Sequence, residues 1–237
     1  MDPNNGNLNA FSFESFFEAW LVRQKRYLDE LLSAQHSSHE ARQDDHRELI
    51  NRVLYHYQQY YEEKSRVAKW DVFLMFSPPW FTDLERAFLW IAGFKPNLLF
   101  RLISSSVNDM TEDQSQRMDR LVVETRMEEK ALNDELAKIQ ESLGAPSLVN
   151  AIKSYGSTAR DGETAGGGDD SVIGGLRRAL EKVVANADML RATTAEKVAL
   201  ILTPAQMVKV LAAVAQLQLK VRSLGLQRYA ERQNVGY

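Results

Sequence analysis

Apolar residues recur every three or four positions through most of the chain, the spacing of one face of an α-helix. Phe13, Phe16, Phe17, Trp20, Leu21, Tyr27, Leu28, Leu31 and Leu32 form the first stripe. Ser12 stands where an N-cap belongs, so a helix is predicted from Phe13 to about Gln35. A polar hinge over 36–45 leads to a second helix over 45–69, with Leu49, Val53, Leu54, Tyr57, Tyr60, Tyr61 and Val67 on its buried side. Ser77-Pro78-Pro79 must break the helical run, because proline lacks a backbone donor and restricts the residue before it. Thr82 and Glu85 then form a capping box. They open a helix carrying Leu84, Ala87, Phe88, Trp90 and Ile91 that ends at Gly93. Lys95-Pro96 begins another short helix with Leu98, Leu99, Leu102 and Ile103.

A second capping box, Thr111 with Gln114, starts a long charged helix to about Leu143 whose apolar positions include Met118, Leu121, Val122, Met127, Leu132, Leu136 and Ile139. A short amphipathic piece is predicted over 149–155. Residues 156–170 read GSTARDGETAGGGDD, a flexible linker by composition. The next helix runs over 172–202 on Leu176, Leu180, Val183, Val184, Ala187, Leu190, Thr194, Val198 and Ile201. Thr203-Pro204-Ala205-Gln206 restarts the chain with threonine as N-cap, proline at the first helical position and glutamine at the third. The last helix carries Met207, Val210, Leu211, Val214, Leu217, Leu219 and Leu224 and frays near Arg228. The prediction is an all-α protein, an irregular antiparallel bundle of long helices. One domain spans 11–230, with a disordered segment over 1–10 and a tail over 231–237.

Composition narrows the function. The net charge of −3 lacks the basic excess of a stand-alone nucleic-acid binder, so no direct nucleic-acid binding is expected. With no cysteine there is no disulfide, thiolate metal site or cysteine nucleophile. No secretory leader is read at the N-terminus. The longest apolar-rich stretch, 198–214, is interrupted by Thr203, Pro204, Gln206 and Lys209, short of the about 20 apolar residues a transmembrane span needs.

Catalytic and metal chemistry find no constellation. His36, His39 and His46 lie in or beside the polar hinge, and His56 is separate. There is no His-Glu-x-x-His and no paired Glu-x-x-His. Glu124, Glu128, Glu129, Asp134 and Glu135 alternate with basic residues at helical spacing, the pattern of a solvated face. No nucleophile, base and orienting partner come together, so no catalytic residue, metal ligand or cofactor is assigned and an enzyme is not expected. Two aromatic segments stand out. The first helix offers Phe16, Phe17 and Trp20 as a partner-binding face. Tyr57, Trp70, Phe73, Trp90 and Phe94 are candidates for lining a ligand pocket, and both sets are equally readable as core.

Four ordered motifs carry a resemblance. Phe16-Phe17-Glu18-Ala19-Trp20-Leu21 resembles the opening helix of the plant DOG1-type seed-dormancy domain, which the TGA class of bZIP transcription factors shares as its C-terminal half. Ala68-Lys69-Trp70-Asp71-Val72-Phe73 resembles the corresponding TGA segment. Leu84 through the run Trp90-Ile91-Ala92-Gly93-Phe94-Lys95-Pro96 is similar to the family hallmark Trp-x-Gly-Gly-Phe-Arg-Pro, with alanine at its first glycine. Ala187-Asp188-Met189-Leu190-Arg191 followed by Leu202-Thr203-Pro204-Ala205-Gln206 is similar to the late motif Ala-Asp-x-Leu-Arg with Leu-Thr-x-x-Gln.

The resemblance implies a plant regulatory or adaptor protein of the nucleus, the cytoplasm or both, acting through protein–protein interaction. Family members act in seed dormancy, abscisic-acid signalling, transcriptional control, defence and pollen-aperture patterning. The dormancy regulator binds type 2C protein phosphatases through its first helix, where Glu14 to Trp20 stand here with a different local sequence. It binds haem through C-terminal histidines; here the last histidine is His56, so haem is not expected. TGA domains are dimers that bind a fatty acid and a co-activator, which implies a homodimer and a fatty-acid-like ligand. Without a basic zipper ahead of the domain, DNA association is expected to pass through a partner bZIP factor.

Overall fold

The computed structural model describes residues 3–35, 43–142 and 169–235. Among them stand eight helices and no strand: α1 (Pro3–Gln35), α2 (Gln43–Trp70), α3 (Phe73–Phe76), α4 (Asp83–Ala87), α5 (Asn97–Ser106), α6 (Glu112–Ser142), α7 (Asp169–Ile201) and α8 (Pro204–Val235). The fold is the all-α bundle that the periodicity predicts. The piece expected over 149–155 and most of the linker over 156–170 lie outside the described residues.

The helix starts follow from their caps. The Thr82 hydroxyl accepts from Glu85 N–H at 3.2 Å while the Glu85 carboxylate accepts from Thr82 N–H at 2.7 Å. Thr111 with Gln114 and Thr203 with Gln206 repeat the arrangement at α6 and α8. These two boxes also face each other. Gln114 Nε2 donates to Gln206 Oε1 at 2.9 Å and to the Ile201 carbonyl at 2.9 Å, and Gln206 Nε2 donates to the Asp109 carbonyl at 3.1 Å. The glutamines thus cap their own helices and lock α6 to the α7–α8 corner, satisfying buried amides at both ends.

Three boundaries depart from the sequence prediction. Helix α1 begins at Pro3 and takes in the polar segment placed ahead of it, because extending a nucleated helix adds a hydrogen bond per residue at little cost. Helix α8 continues past Arg228 to Val235, with Gln233 donating to the Tyr229 hydroxyl and Arg232 paired to Asp83 at 3.4 Å. Helix α4 stops at Ala87, well before Gly93. Instead, Trp90 N–H donates to the Gly93 carbonyl at 2.6 Å and Gly93 N–H to the Trp90 carbonyl at 3.1 Å. The two residues between them, Ile91 and Ala92, have φ of 41° and 59°, the positive pair that a tight two-residue turn requires. That region opposes any side chain with a Cβ. Ala92→Gly should therefore stabilise the protein by about 0.5–1 kcal/mol, measured by urea denaturation; a loss of stability would show that the turn is not strained at Ala92.

Helices α1, α2 and α8 pack together, α6 pairs with α7, and α4 and α5 lie against α8. Two apolar clusters result. One joins Leu31, Leu49, Val53, Ile103, Leu121, Val198, Met207 and Val210. The other joins Phe13, Phe17, Trp20, Val72, Met75, Trp80, Val183 and Ala187. Tyr57 touches both. The tyrosine-rich face of α2 packs on α1 as the helical stripe suggests, with Trp20 at 5.6 Å from Tyr57 and 5.2 Å from Tyr60.

His56 sits inside this aromatic packing, 1% exposed. Its ring stacks on Trp20 with centroids 4.4 Å apart, and the Trp20 indole N–H donates to the His56 carbonyl at 2.9 Å. Among the described residues neither ring nitrogen has a hydrogen-bond partner. Burial, aided by the nearby Arg23 guanidinium, pushes its pKa down from 6.5 to about 4. The unfolded chain therefore takes up a proton between pH 6.5 and about 4 that the folded one refuses. Stability present above pH 6.5 is lost across that window as pH falls. Between pH 7 and 5 the loss from this residue should be about 2 kcal/mol. Urea titrations of the parent and His56→Phe at both pH values isolate it, and parallel pH dependence in the two proteins would refute it.

Candidate functional site

Where the two apolar clusters meet, a cleft of about 1310 Å³ opens between α2 and α7. Helices α5 and α8 form its floor, through Leu98, Leu99 and Leu102 on one and Leu211, Val214 and Leu217 on the other. Its depth follows from the side chains opposite. Helix α7 presents Ala185, Ala192 and Ala195 there, so the walls stand apart over a bulky apolar floor.

A charged cluster interrupts this surface. Lys64, on the otherwise apolar stripe of α2, is 2% exposed. Its ammonium donates to Asp188 Oδ1 at 2.7 Å, and Arg191 Nη1 donates to the same oxygen at 2.6 Å. Burial pushes the Lys64 pKa down from 10.5 to about 8, against the pull of Asp188. Two buried cations thus share one carboxylate, leaving a net positive centre in the cleft wall. Tyr60 and Tyr61 flank it. Burial first, with Asp188 adding to it, raises both phenols, Tyr61 to about 12. Both therefore stay protonated donors at neutral pH, and neither hydroxyl has a hydrogen-bond partner among the described residues. Tyr57, also raised by burial, accepts from Gln24 Nε2 at 2.5 Å, and Gln24 donates as well to Gln218 Oε1 at 3.0 Å.

Arg191 ties the cleft to the strained turn. Its remaining N–H groups donate to the Phe94 carbonyl at 2.7 Å, the Trp90 carbonyl at 2.5 Å and the Ile91 carbonyl at 3.0 Å. The guanidinium lies 5.3 Å from the centre of the Trp90 ring. A Cβ on Gly93 would stand 2.8 Å from Arg191 Cζ, so the glycine is there to let the guanidinium approach. The sequence motifs around Trp90 and around Arg191 are two halves of one clamp.

The candidates drawn from sequence divide in a definite way. Phe17 and Trp20, offered as partner-binding residues, are buried core, and both reach the cleft from below, as do Tyr57 and Phe94. Phe16 is half-buried beside Arg23, outside the cleft. Trp70, Phe73 and Trp90 do not line it. Trp70 ends α2, Phe73 is largely exposed at the start of α3, and Trp90 turns to α6, where its indole N–H donates to Asn133 Oδ1 at 2.8 Å. Lys64 and its partner Asp188 were missed as site residues. The available signal was a lysine at helical spacing from Tyr57, Tyr60, Tyr61 and Val67, a charge on a buried stripe. Among the described residues no three His, Asp or Glu side chains converge on a point, and no helix is long and apolar enough to cross a membrane.

Comparison with known proteins agrees with this architecture. A profile of the DOG1 family, described as seed dormancy control, matches residues 27–105. Protein ZW2 of Arabidopsis thaliana is 36% identical over 91% of this chain and 96% of its own length. Protein RESPONSE TO ABA AND SALT 1, also of Arabidopsis thaliana, is 33% identical over 95% of this chain and 99% of its own length. Transcription factor HBP-1b(c38) of Triticum aestivum is 30% identical over 93% of this chain; there the match covers 65% of the factor, its C-terminal part. Of these relatives, the third is a transcription factor and the second is named for a response to ABA and salt. With the profile matched and these relatives aligned over more than nine-tenths of its length, this chain belongs to the DOG1 seed-dormancy-control family.

Proposed function

We propose that this protein is a non-enzymatic plant regulatory adaptor that works by binding other proteins in hormone or developmental signalling, as a homodimer in the nucleus, the cytoplasm or both. The cleft between α2 and α7 supports this reading best. It is long, apolar and bordered by exposed Tyr55 and Met189, the surface that helix-in-groove recognition uses. Within this reading Phe17 and Trp20 contribute as the cleft's inner wall. Affinity capture of the tagged chain from plant tissue, with quantitative mass spectrometry, tests the proposal. Enriched type 2C phosphatases place it in abscisic-acid and dormancy signalling; enriched bZIP factors place it in transcription, recruited to DNA by its partner. Absence of any specific protein partner counts against the adaptor. Light scattering on the pure protein reports the dimer directly.

One observation favours a second reading, a sensor for a fatty-acid-like ligand. Lys64, Tyr60 and Tyr61 offer donors to an anionic head inside an apolar cleft. Native mass spectrometry would then show a retained or added lipid, lost in Lys64→Met; protein that takes up no added fatty acid rejects it.

A further inference from the structure

Cleft length and charge together specify more than an apolar hole. On α2 its wall runs from Asn51 to Lys69, which at the helical rise is roughly 27 Å. That is the length of a partner helix of about five turns. Both rims carry large apolar side chains left in water, Tyr55 at 58% exposed and Met189 at 66%. Glu62 and Lys95 also line the cleft in water, and three further cations gather at one end. Where α2 finishes and α7 begins, Lys69, Arg178 and Lys182 all line the cleft. Lys69 and Arg178 have no ion-pair partner among the described residues, and Lys182 has the half-buried Glu135 at 3.8 Å. The acid beside them, Glu181, is already engaged by Arg177 at 2.8 Å. At the far end stands the exposed Glu196.

We propose that the cleft seats an amphipathic helix of a partner protein, its apolar stripe on Leu98, Leu99 and Leu102 and its acidic end over Lys69, Arg178 and Lys182. This rests on the adaptor reading and names the chemistry of the partner. Three cations in water at the end of a long trough match acidic side chains one turn apart on a helix. An acyl carboxylate needs one, and Lys64 inside the cleft supplies it. Complementary rim charge sets orientation and partner choice, with a salt-sensitive share of the affinity.

Two designed helical peptides of about 18 residues, sharing one leucine stripe, provide the test. One ends in three glutamates, the other in three lysines at the same positions. Binding to the full chain is read by fluorescence anisotropy. The acidic peptide should bind about tenfold more tightly at low salt, with the gap closing at high salt. Reversing the rim in Lys69→Glu/Arg178→Glu/Lys182→Glu should reverse the preference. Ala185→Arg/Ala192→Arg, on the outer wall of α7, should abolish binding of both while the circular dichroism and melting curve stay those of the parent. Equal affinity for the two peptides, or binding that ignores the two arginines, overturns the proposal. So does a dimer that dissociates in the arginine variant, or a retained lipid that the peptides cannot displace, since a second copy or a lipid is then the occupant. A plant partner captured equally by parent and arginine variant rejects the cleft as its seat and leaves the adaptor reading standing. A parent chain that captures no partner strikes the adaptor reading, while the peptides still decide what the cleft accepts.

Discussion

Arg191→Met should cost about 3–5 kcal/mol, enough to take most of the stability of a domain this size. In the parent the guanidinium satisfies the carbonyls of Trp90, Ile91 and Phe94 and one side of Asp188. Methionine fills the volume and leaves those acceptors facing an apolar group, and each buried acceptor without a donor costs about 1–3 kcal/mol. The turn also loses what holds Ile91 and Ala92 at positive φ. Arg191→Lys should recover little, because an ammonium cannot span acceptors set around a planar fork. Gly93→Ala attacks the same contact from the other side, since its Cβ would meet Arg191 Cζ at 2.8 Å. The double variant Gly93→Ala/Arg191→Met should therefore be clearly less destabilised than the sum of the singles. Urea denaturation of the four proteins decides it. A cost below about 1 kcal/mol for Arg191→Met, or strict additivity, would mean that the clamp is not what holds the turn.

Gly225→Ala is expected to reverse an ordinary rule. Inside a helix this change normally gains about 1 kcal/mol. Here the new Cβ would lie 2.1 Å from Thr82 Oγ1 and 2.7 Å from Thr82 Cβ. Helix α8 can approach the start of α4 only because position 225 has no side chain. The Thr82 hydroxyl is held in place by its own role as N-cap, accepting from Glu85 N–H. Glu85 in turn pairs with Arg222, one turn before Gly225, at 3.2 Å. Overpacking and loss of the cap together should cost about 2–3 kcal/mol, read as a lower melting temperature. Moving the glycine across the contact, in Thr82→Gly/Gly225→Ala, should restore most of it, because glycine is an acceptable N-cap. A stable single variant, or a double variant no better than the single, would show that the helices can separate freely at this point.

Arg191 and Thr82 lie in segments whose importance was visible in the sequence but whose reason was not. Thr82-x-x-Glu85, Thr111-x-x-Gln114 and Thr203-Pro204-x-Gln206 announce helix starts, because a capping box is local and needs nothing beyond the residues that make it. The stripes of α1, α2, α6, α7 and α8 are equally legible, since the period of an apolar face is a property of one helix. So the all-α class and the proline break after α3 could be read directly. The end of α4 could not be. Trp90-Ile91-Ala92-Gly93 has helical periodicity and no residue that demands a positive φ except the glycine, yet it turns because Arg191, far away in sequence, gathers its carbonyls.

The candidate cleft divides in the same way. Aromatic density marked Phe17, Trp20, Tyr57 and Phe94, which line it, as readily as Trp70, Phe73 and Trp90, which do not. An aromatic on a stripe is buried, but the stripe does not say whether it faces a neighbouring helix or a gap. That depends on how far α2 stands from α7, which is set by alanines on the opposite wall and leucines on the floor. The pairing of Lys64 with Asp188 and the gathering of Lys69 with Arg178 and Lys182 join residues more than a hundred positions apart. The sequence by itself determined the helices, their caps and the family motifs, because those depend on neighbours three or four residues away. The tertiary structure alone decided the turn, the clamp, the cleft and its charged end, because each is an agreement between separate helices about distance.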